Sequence, residues 1–527
     1  LHTALLPNEA LCPIPGLPND IKPYRRELFA FDDVHHAAPT IYTPASTEQL
    51  STLLAHVPSD RRVTIRAGGQ SIDDQSLNSD LVFHLHRPFD WIGCPTHDEN
   101  GYAIEVGAAA RWEGVLNKIA PLGLMPPSVA TAQYATVGGT MSADCLSRMS
   151  CVAGKEGQQI REFTLVLPCG TELDCKKTDS GLRGELFKSV IGGFGYLGVV
   201  TKVTFDLVAS RADPMRPGPT PCVFTRSTRS RPSTDWDTVL RELQSKSVSA
   251  SRRYAARAPF HRGVGKTAEA ALASAPEWSA LSMASFLTGS GLNANVLEQR
   301  YVAAQPLRPF PGGIYQRTNG FPAVVETTDA SWPTLVDVGL DFCPEGEFVD
   351  ELFGWTFFLG YSATMAKEEA YKCGHRVNFT QQSFALPAGP DANRVDTRET
   401  RRFLELLIAR LHAADLQPAT IDFLYVPADD FVMSASRGLF GFIVTVSFVE
   451  TNRTGSFSPE LVDTLHSLSS DCRSLGGRVH LVKGVNADPG DLRAMYGDAA
   501  KEFLSLKQRV DPKRILRNEF FERVFLA

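Results

Sequence analysis

The run Arg61-Arg-Val-Thr-Ile-Arg-Ala-Gly-Gly-Gln-Ser-Ile-Asp-Asp-Gln75 constrains this chain more than any other stretch. Val63 to Ile65 is β-rich and suits a buried strand, and it runs straight into Gly68-Gly69-Gln70-Ser71. A glycine pair at the end of a strand lets successive backbone N–H groups turn toward one point. Such a nest binds an anion, most often a phosphate. The segment in front supports the reading. Ser46-Thr-Glu-Gln49 has the form of a capping box, and Leu50, Leu53, Leu54 and Val57 follow at helical spacing. An amphipathic helix is therefore expected to feed a strand at 62–66 that delivers the glycine loop.

Further strands are expected at 81–86, 102–106, 160–167, 172–176 and 199–208, with helices at 112–119 and 182–190. Intermixed strands and helices over 28–208 fit an α+β domain. Residues 209–234 are rich in Pro, Arg, Ser and Thr and lack periodicity, which places a boundary there. Beyond it, 235–484 again mixes helices and strands. The last clear helix opens at Ser458-Pro459, carries Leu461, Val462, Leu465 and Leu468 on one face, and is stopped by Gly476-Gly477 before a strand at 478–482. A chain of 527 residues exceeds one core. The expected organisation is an N-terminal extension (1–27), a first domain (28–208), a second domain (209–484) and a C-terminal segment (485–527).

Two more glycine segments stand out. Ala135-Thr-Val-Gly-Gly-Thr-Met-Ser-Ala-Asp144 follows a Pro126-Pro127 turn, and reads by itself as a tight turn whose backbone could lie against a flat ring or a phosphate. Gly193, Gly195 and Gly198 satisfy the dinucleotide spacing G-x-G-x-x-G. A Rossmann site needs those glycines to follow a strand and open a helix. Here they follow a helix-like segment and open the strand Val199-Val-Thr-Lys-Val-Thr-Phe205, so that reading is rejected.

Taken in order, Arg66-Ala-Gly-Gly-Gln-Ser, Thr136-Val-Gly-Gly, Phe163-Thr-Leu-Val-Leu-Pro-Cys-Gly170, Gly184-Glu-Leu-Phe187 and Gly193-Phe-Gly-Tyr-Leu-Gly-Val-Val200 resemble the FAD-binding domain of the vanillyl-alcohol oxidase/p-cresol methylhydroxylase superfamily. Later, Gly476-Gly-Arg-Val-His-Leu-Val-Lys483, Met495-Tyr496 and Val510-Asp-Pro-Lys-Arg-Ile-Leu516 are similar to the non-covalent branch that includes decaprenylphosphoryl-ribose oxidase. The resemblance implies a two-domain α+β flavoprotein, with a PCMH-type FAD domain, a substrate cap and a C-terminal segment packed back on the FAD domain. It implies cofactor contacts from Arg66, Ala67, Gly68, Gly69, Gln70, Ser71 and Ile72, from Thr136, Val137, Gly138, Gly139, Ser142 and Ala143, and from Val199 and Val200. It also implies that Lys483 approaches the flavin from the cap, with His480 as a second candidate. In a continuous strand these two, three apart, would face opposite sides, so they share a site only if the strand bends or ends between them.

Many members of the superfamily carry, where this chain has Gln70, a His bonded covalently to the flavin. A glutamine amide is no nucleophile, so FAD is expected to be held without a covalent bond. The chain also departs from the ribose oxidase: Gln70 stands for an arginine, Ile72 for a tyrosine, and Leu146-Ser147 for a His-Gly. The cofactor therefore carries over and the substrate does not. The expected activity is hydride transfer from a CH–OH or CH–N carbon of a small organic substrate to flavin N5, with O2 or another acceptor taking the electrons. Alternatives are a natural-product tailoring oxidase, a flavin-dependent C=C reductase, or a non-catalytic protein that kept the fold.

Other classes find little support. Lys plus Arg number 53 against 59 Asp plus Glu, with no basic face for nucleic acid. No apolar run reaches membrane-spanning length. His35-His36 and His84-x-His86 lack a third ligand in reach, so no metal is expected, and Arg66 and Asp74 are expected to act structurally. Ten cysteines without a Cys-x-x-Cys pair read as thiols of a reducing, cytoplasmic setting, with Cys373-Gly-His375 the one close Cys/His pair.

Overall fold

A computed structural model describes residues 11–119, 122, 124–128, 134–146, 150, 154–209, 376–389, 394, 396–416, 418, 420–452 and 455–526, together with the strands at 223–233, 283–287, 294–304 and 346–351. Cys373 and His375 lie outside the described residues, as does Ser147.

The helix before the glycine loop spans Thr47–His56, with the Ser46 side chain accepting from Gln49 N–H. The reciprocal half of the box is displaced by one residue: Gln49 Oε1 accepts from Ala45 N–H. Leu50, Leu53 and Leu54 bury its apolar stripe against the strands Thr40–Tyr42, Val63–Arg66 and Leu81–His84. In the first sheet Leu81–His84 is central, with Thr40–Tyr42 and Val63–Arg66 parallel to it on either side and Tyr24–Arg25 beyond Thr40–Tyr42. Parallel pairing buries both faces, which is why these strands read as continuous apolar runs.

A second, antiparallel sheet runs Glu172–Lys176, Ile160–Val166, Val199–Ala209, Gly101–Gly107 and Thr96–Asp98, with Leu124–Met125 on the far end of Val199–Ala209. Trp112–Ile119 and Gly181–Val190 are helices, as their spacing predicts. An eight-stranded sheet carries the second half of the chain, in the order Gly346–Glu351, Val223–Ser233, Ala294–Ala304, Met283–Leu287, Thr420–Val426, Gly441–Asn452, Arg376–Pro387 and Arg478–Val479. Helices Arg398–Ala413 and Pro459–Ser474 cover it, with Phe403 tilted against Phe384 at 4.8 Å. The protein is an α+β fold in two halves.

Three readings of the sequence change. The aperiodic stretch 209–234 contains the strand Val223–Ser233, paired antiparallel with Ala294–Ala304. Its polar sequence hides it, because pairing on both edges rather than an apolar alternation sets its place. The second glycine segment is no tight turn but a short helix, Val137–Ala143. The strand expected at 478–482 ends at Val479.

The larger core joins the two halves. Phe163 of the second sheet, with Trp112 and Phe187 of the helices Trp112–Ile119 and Gly181–Val190, shares one cluster with Phe384 and Phe442 of the eight-stranded sheet and with Phe503, Phe520 and Phe525 near the C-terminus. Helices Pro489–Val510 and Glu519–Phe525 supply the last group. Leu516 extends the first sheet by a parallel bridge to Val63. Lys507, buried beside Asp511, donates to the carbonyls of Tyr196 and Leu516, and burial brings its ammonium down to about 8. Among the described residues no helix is long and apolar enough to cross a membrane.

Candidate active site

The first glycine loop is shaped by Arg66. Its guanidinium is turned under the loop, donating to Phe29 O at 2.7 Å and Ser76 Oγ at 2.9 Å, and burial pulls it down to about 10. Gly69 takes φ +64°, and a Cβ there would sit 2.5 Å from the Arg66 guanidinium. A side chain is therefore excluded by backbone and by space alike. Ser71 O and Ile72 O accept from Phe31 and Asp32 N–H, which ties the far side of the loop to the Leu28–Ala37 region. Ile72 is buried, and Ala67 is partly buried against the first core. Half-buried Gln70 leans over the loop, its amide 3.4 Å from Gly68 O.

The second glycine segment meets the first. A Cβ on Gly68 would lie 2.5 Å from Tyr134 O, so the two segments touch backbone to backbone. Val137 and Gly138 spend their N–H groups on Ala110 O and Ala108 O, at 2.9 and 2.8 Å, and Gly138 packs on Ala108 too closely for any side chain. Thr136 is buried and receives Thr140 N–H on its carbonyl. Gly139 differs: it is exposed, and a Cβ there would meet only Thr136 Oγ1, at 3.0 Å. At the other end of the helix, Ser142 O accepts from Phe194 N–H, so the third glycine segment clamps the second, beside half-buried Ala143. Val199 and Val200 are buried and pair with Val166 and Leu165.

Because the strand ends at Val479, the backbone turns after it, and Lys483 N–H reaches back to His480 O at 3.4 Å. The bend brings His480 and Lys483 into one electrostatic neighbourhood, in which Lys483 also acts on Cys145, two residues past the second glycine helix. His480 is 3 % exposed, its N–H bonded to Ser383 O, and its Nδ1 has no hydrogen-bond partner among the described residues. Burial, then the charges of Lys155 and Lys483, hold its pKa well below the ordinary histidine value, so the ring is neutral. Burial likewise pushes the Cys145 thiol up, which leaves it protonated and unreactive.

Three groups escape a reading of the sequence. Lys155, 1 % exposed, pairs with Asp144 at the C-cap of the second glycine helix and with Asp429 at 3.0 Å, and donates to Ser434 Oγ. Burial and then Asp429 raise Asp144 to about 6 against the pull of Lys155. Gln75 binds the turn that carries Lys483. Asn518 donates to the carbonyls of Asp74, Gln75 and Leu77. None of these pairings is local in sequence. Lys155 stands between Gly154 and Glu156 and Asn518 between Arg517 and Glu519, so no local pattern marked either as buried. Asp74 has a structural part, paired with Arg523 at 2.6 Å. His84 Nε2 donates to Ala67 O at 3.3 Å, and no His/Cys/Asp/Glu group among the described residues could hold a metal ion.

Residues 38–176 match the FAD binding domain family. FAD is the cofactor of this domain. Residues 451–524 match the D-arabinono-1,4-lactone oxidase family. Among curated proteins the chain is similar to cytokinin dehydrogenase 8 of Oryza sativa subsp. indica, 29 % identical over 188 residues covering 33 % of this chain and 35 % of the relative. It is similar to cytokinin dehydrogenase 2 of Arabidopsis thaliana, 28 % identical over 178 residues covering 33 % and 34 %, and to cytokinin dehydrogenase 3 of the same plant, 34 % identical over 104 residues covering 20 % and 19 %. The chain thus spans about a third or less of the length of these relatives. The two glycine segments fit FAD: Gly69 opens the nest, and bare Gly139 leaves room at the groove wall.

Proposed function

We propose that this protein is a cytoplasmic FAD-dependent oxidoreductase of the non-covalent branch, acting on a CH–OH or CH–N carbon of a small organic substrate. FAD, when bound there, would supply a hydride acceptor at N5, with O2 or another acceptor taking the electrons. The loop 66–72, the segment 136–143 and the strand start at Val199-Val200 hold the cofactor, with the eight-stranded half as the cap over the substrate. Gln70 supports non-covalent binding, since its amide can form no flavin bond. The dehydrogenase and oxidase names of the relatives support the reaction type.

The observation that carries the reading is His480: a neutral, buried ring whose Nδ1 lacks a partner among the described residues, beside the cation Lys483. A buried polar atom left unpaired calls for a reason, and a reacting group is one. His480 Nδ1 accepts the proton of the substrate O–H or N–H, and Lys483 stabilises negative charge that builds on the ring system during reduction. The test is anaerobic bleaching of the yellow protein with a panel of small alcohols and amines, repeated on Lys483→Met. A bleaching substrate and a rate about 100–1000-fold lower in the variant are expected, the usual effect of deleting one preorganised donor. Bleaching at an unchanged rate would remove Lys483 from the site.

A further inference from the structure

We propose that Gln75 is a positioning residue that aims Lys483, an inference that rests on the assignment of Lys483 to the flavin site. Gln75 is 6 % exposed and lies in the single turn of 3₁₀ helix, Asp74–Ser76, that follows the first glycine loop. Its Nε2 donates to Lys483 O at 2.9 Å and to Leu481 O at 3.2 Å, and its Oε1 accepts from Asp73 N–H at 3.2 Å. One amide thus spends both hydrogens on the backbone of the turn that bears the cation. The backbone of Gln75 is anchored as well, because its carbonyl O accepts from Asn518 Nδ2 at 3.1 Å.

The turn needs such a holder. The sheet ends two residues before Leu481, and the bond from Lys483 N–H to His480 O is long, at 3.4 Å. The other backbone restraints lie to either side of the lysine: His480 N–H on Ser383 O before it, and Gly484 N–H on Gln381 O and Val485 N–H on Asp73 Oδ2 at 3.1 Å beyond it. Asp73 and Gln75 therefore clasp 481–485 onto the same short element that closes the first glycine loop. The nest that would hold the pyrophosphate and the arm that carries Lys483 become one rigid piece. A displacement of about 1 Å at such a group is enough to lose much of its effect.

Sulfite reads this geometry without a substrate. Its sulfur electron pair adds to flavin N5, and the negative charge that results spreads over the ring. The experiment titrates the FAD-loaded full chain with sulfite as wild type, Gln75→Leu, Lys483→Met and the double variant. We expect each single variant to keep its FAD and to bind sulfite about ten-fold more weakly, the size of an ordinary coupling between groups in contact. The double variant is expected to be no weaker than Lys483→Met alone. Sulfite affinity lowered by Lys483→Met but unchanged by Gln75→Leu would overturn the inference and leave the site standing, as would full additivity. No change in Lys483→Met would overturn both. A Gln75→Glu variant covers the case in which Gln75→Leu does not fold. Its protonated carboxyl donates one hydrogen bond and its ionised form repels both carbonyls. Affinity relative to wild type at the same pH is therefore expected to recover as pH falls. A ratio that stays flat with pH means a role in folding alone and overturns the inference.

Discussion

At the scale of single residues, the two loop glycines that look alike in sequence do different work. Gly69 is demanded by the protein, through its positive φ and the guanidinium beneath it; any side chain there disorders the loop with or without cofactor. Gly139 has no positive φ, and among the described residues a Cβ there would approach only Thr136 Oγ1. Gly139→Val should therefore lower the flavin-to-protein absorbance ratio while the melting temperature of the FAD-free protein stays near that of wild type. Full FAD occupancy in the variant would place the cofactor elsewhere. Residues that act through backbone shape, such as Gly69, were legible because glycine pairs after a strand leave few alternatives. Lys483 and His480 were legible only through resemblance. Whether they face one another depended on a strand ending at Val479, which no residue type announces. Gln75 and Lys155 were not legible, since Gln75 holds Leu481 and Lys483, and Lys155 joins Asp144 to Asp429 and Ser434 in the other half of the chain.

Elements with strong local signals came out as read. The helices Thr47–His56 and Pro459–Ser474 have the apolar stripes that the sequence spells out; the Ser46 side chain caps the first, and Gly476, at φ +75°, follows the end of the second. The strand Val223–Ser233 was missed because pairing, not patterning, makes it. Joints between elements rest on buried charge, and two of them can be tested. Lys155 fastens the second glycine helix to the Asp429–Ser434 turn, and Lys155→Met leaves two buried carboxylates without a cation. A loss of about 3–5 kcal/mol in urea unfolding is expected. A loss near the ~1 kcal/mol or less of an exposed pair would contradict the account. The second joint is His35, which bonds Asp32 and faces Asp73 at 3.6 Å. Burial opposes its charge, but Asp32, Asp73 and Asp74 outweigh burial and raise it to about 9. A pKa raised above the unfolded value of about 6.5 stabilises the fold fully below that pH, and the gain fades as pH rises through the folded value. His35→Asn should therefore melt below wild type at pH 6, with the gap closing toward pH 9. A gap independent of pH would show that the charge plays no part.

At the scale of the whole molecule, the halves are not separate bodies strung together. One core runs from Trp112 through Phe384 to Phe525, and the C-terminal residues return to the first sheet at Val63 and to the turn at Asp74–Ser76. Composition and alternation predicted an α+β protein of more than one domain. They did not predict that the C-terminal helices Pro489–Val510 and Glu519–Phe525 would supply part of the shared interior, because a helix's partners are set by the fold as a whole. That arrangement sets the glycine loops, the Lys483 turn and the C-terminal anchor around one place. The central claim is that FAD is held there by backbone and shape and by no covalent bond. The most direct test is the absorption spectrum of the purified full chain before and after acid precipitation. The account predicts flavin absorption in the native protein, released entirely into the supernatant by acid. A protein that stays colourless with added FAD would contradict it, and so would yellow colour that remains in the washed pellet.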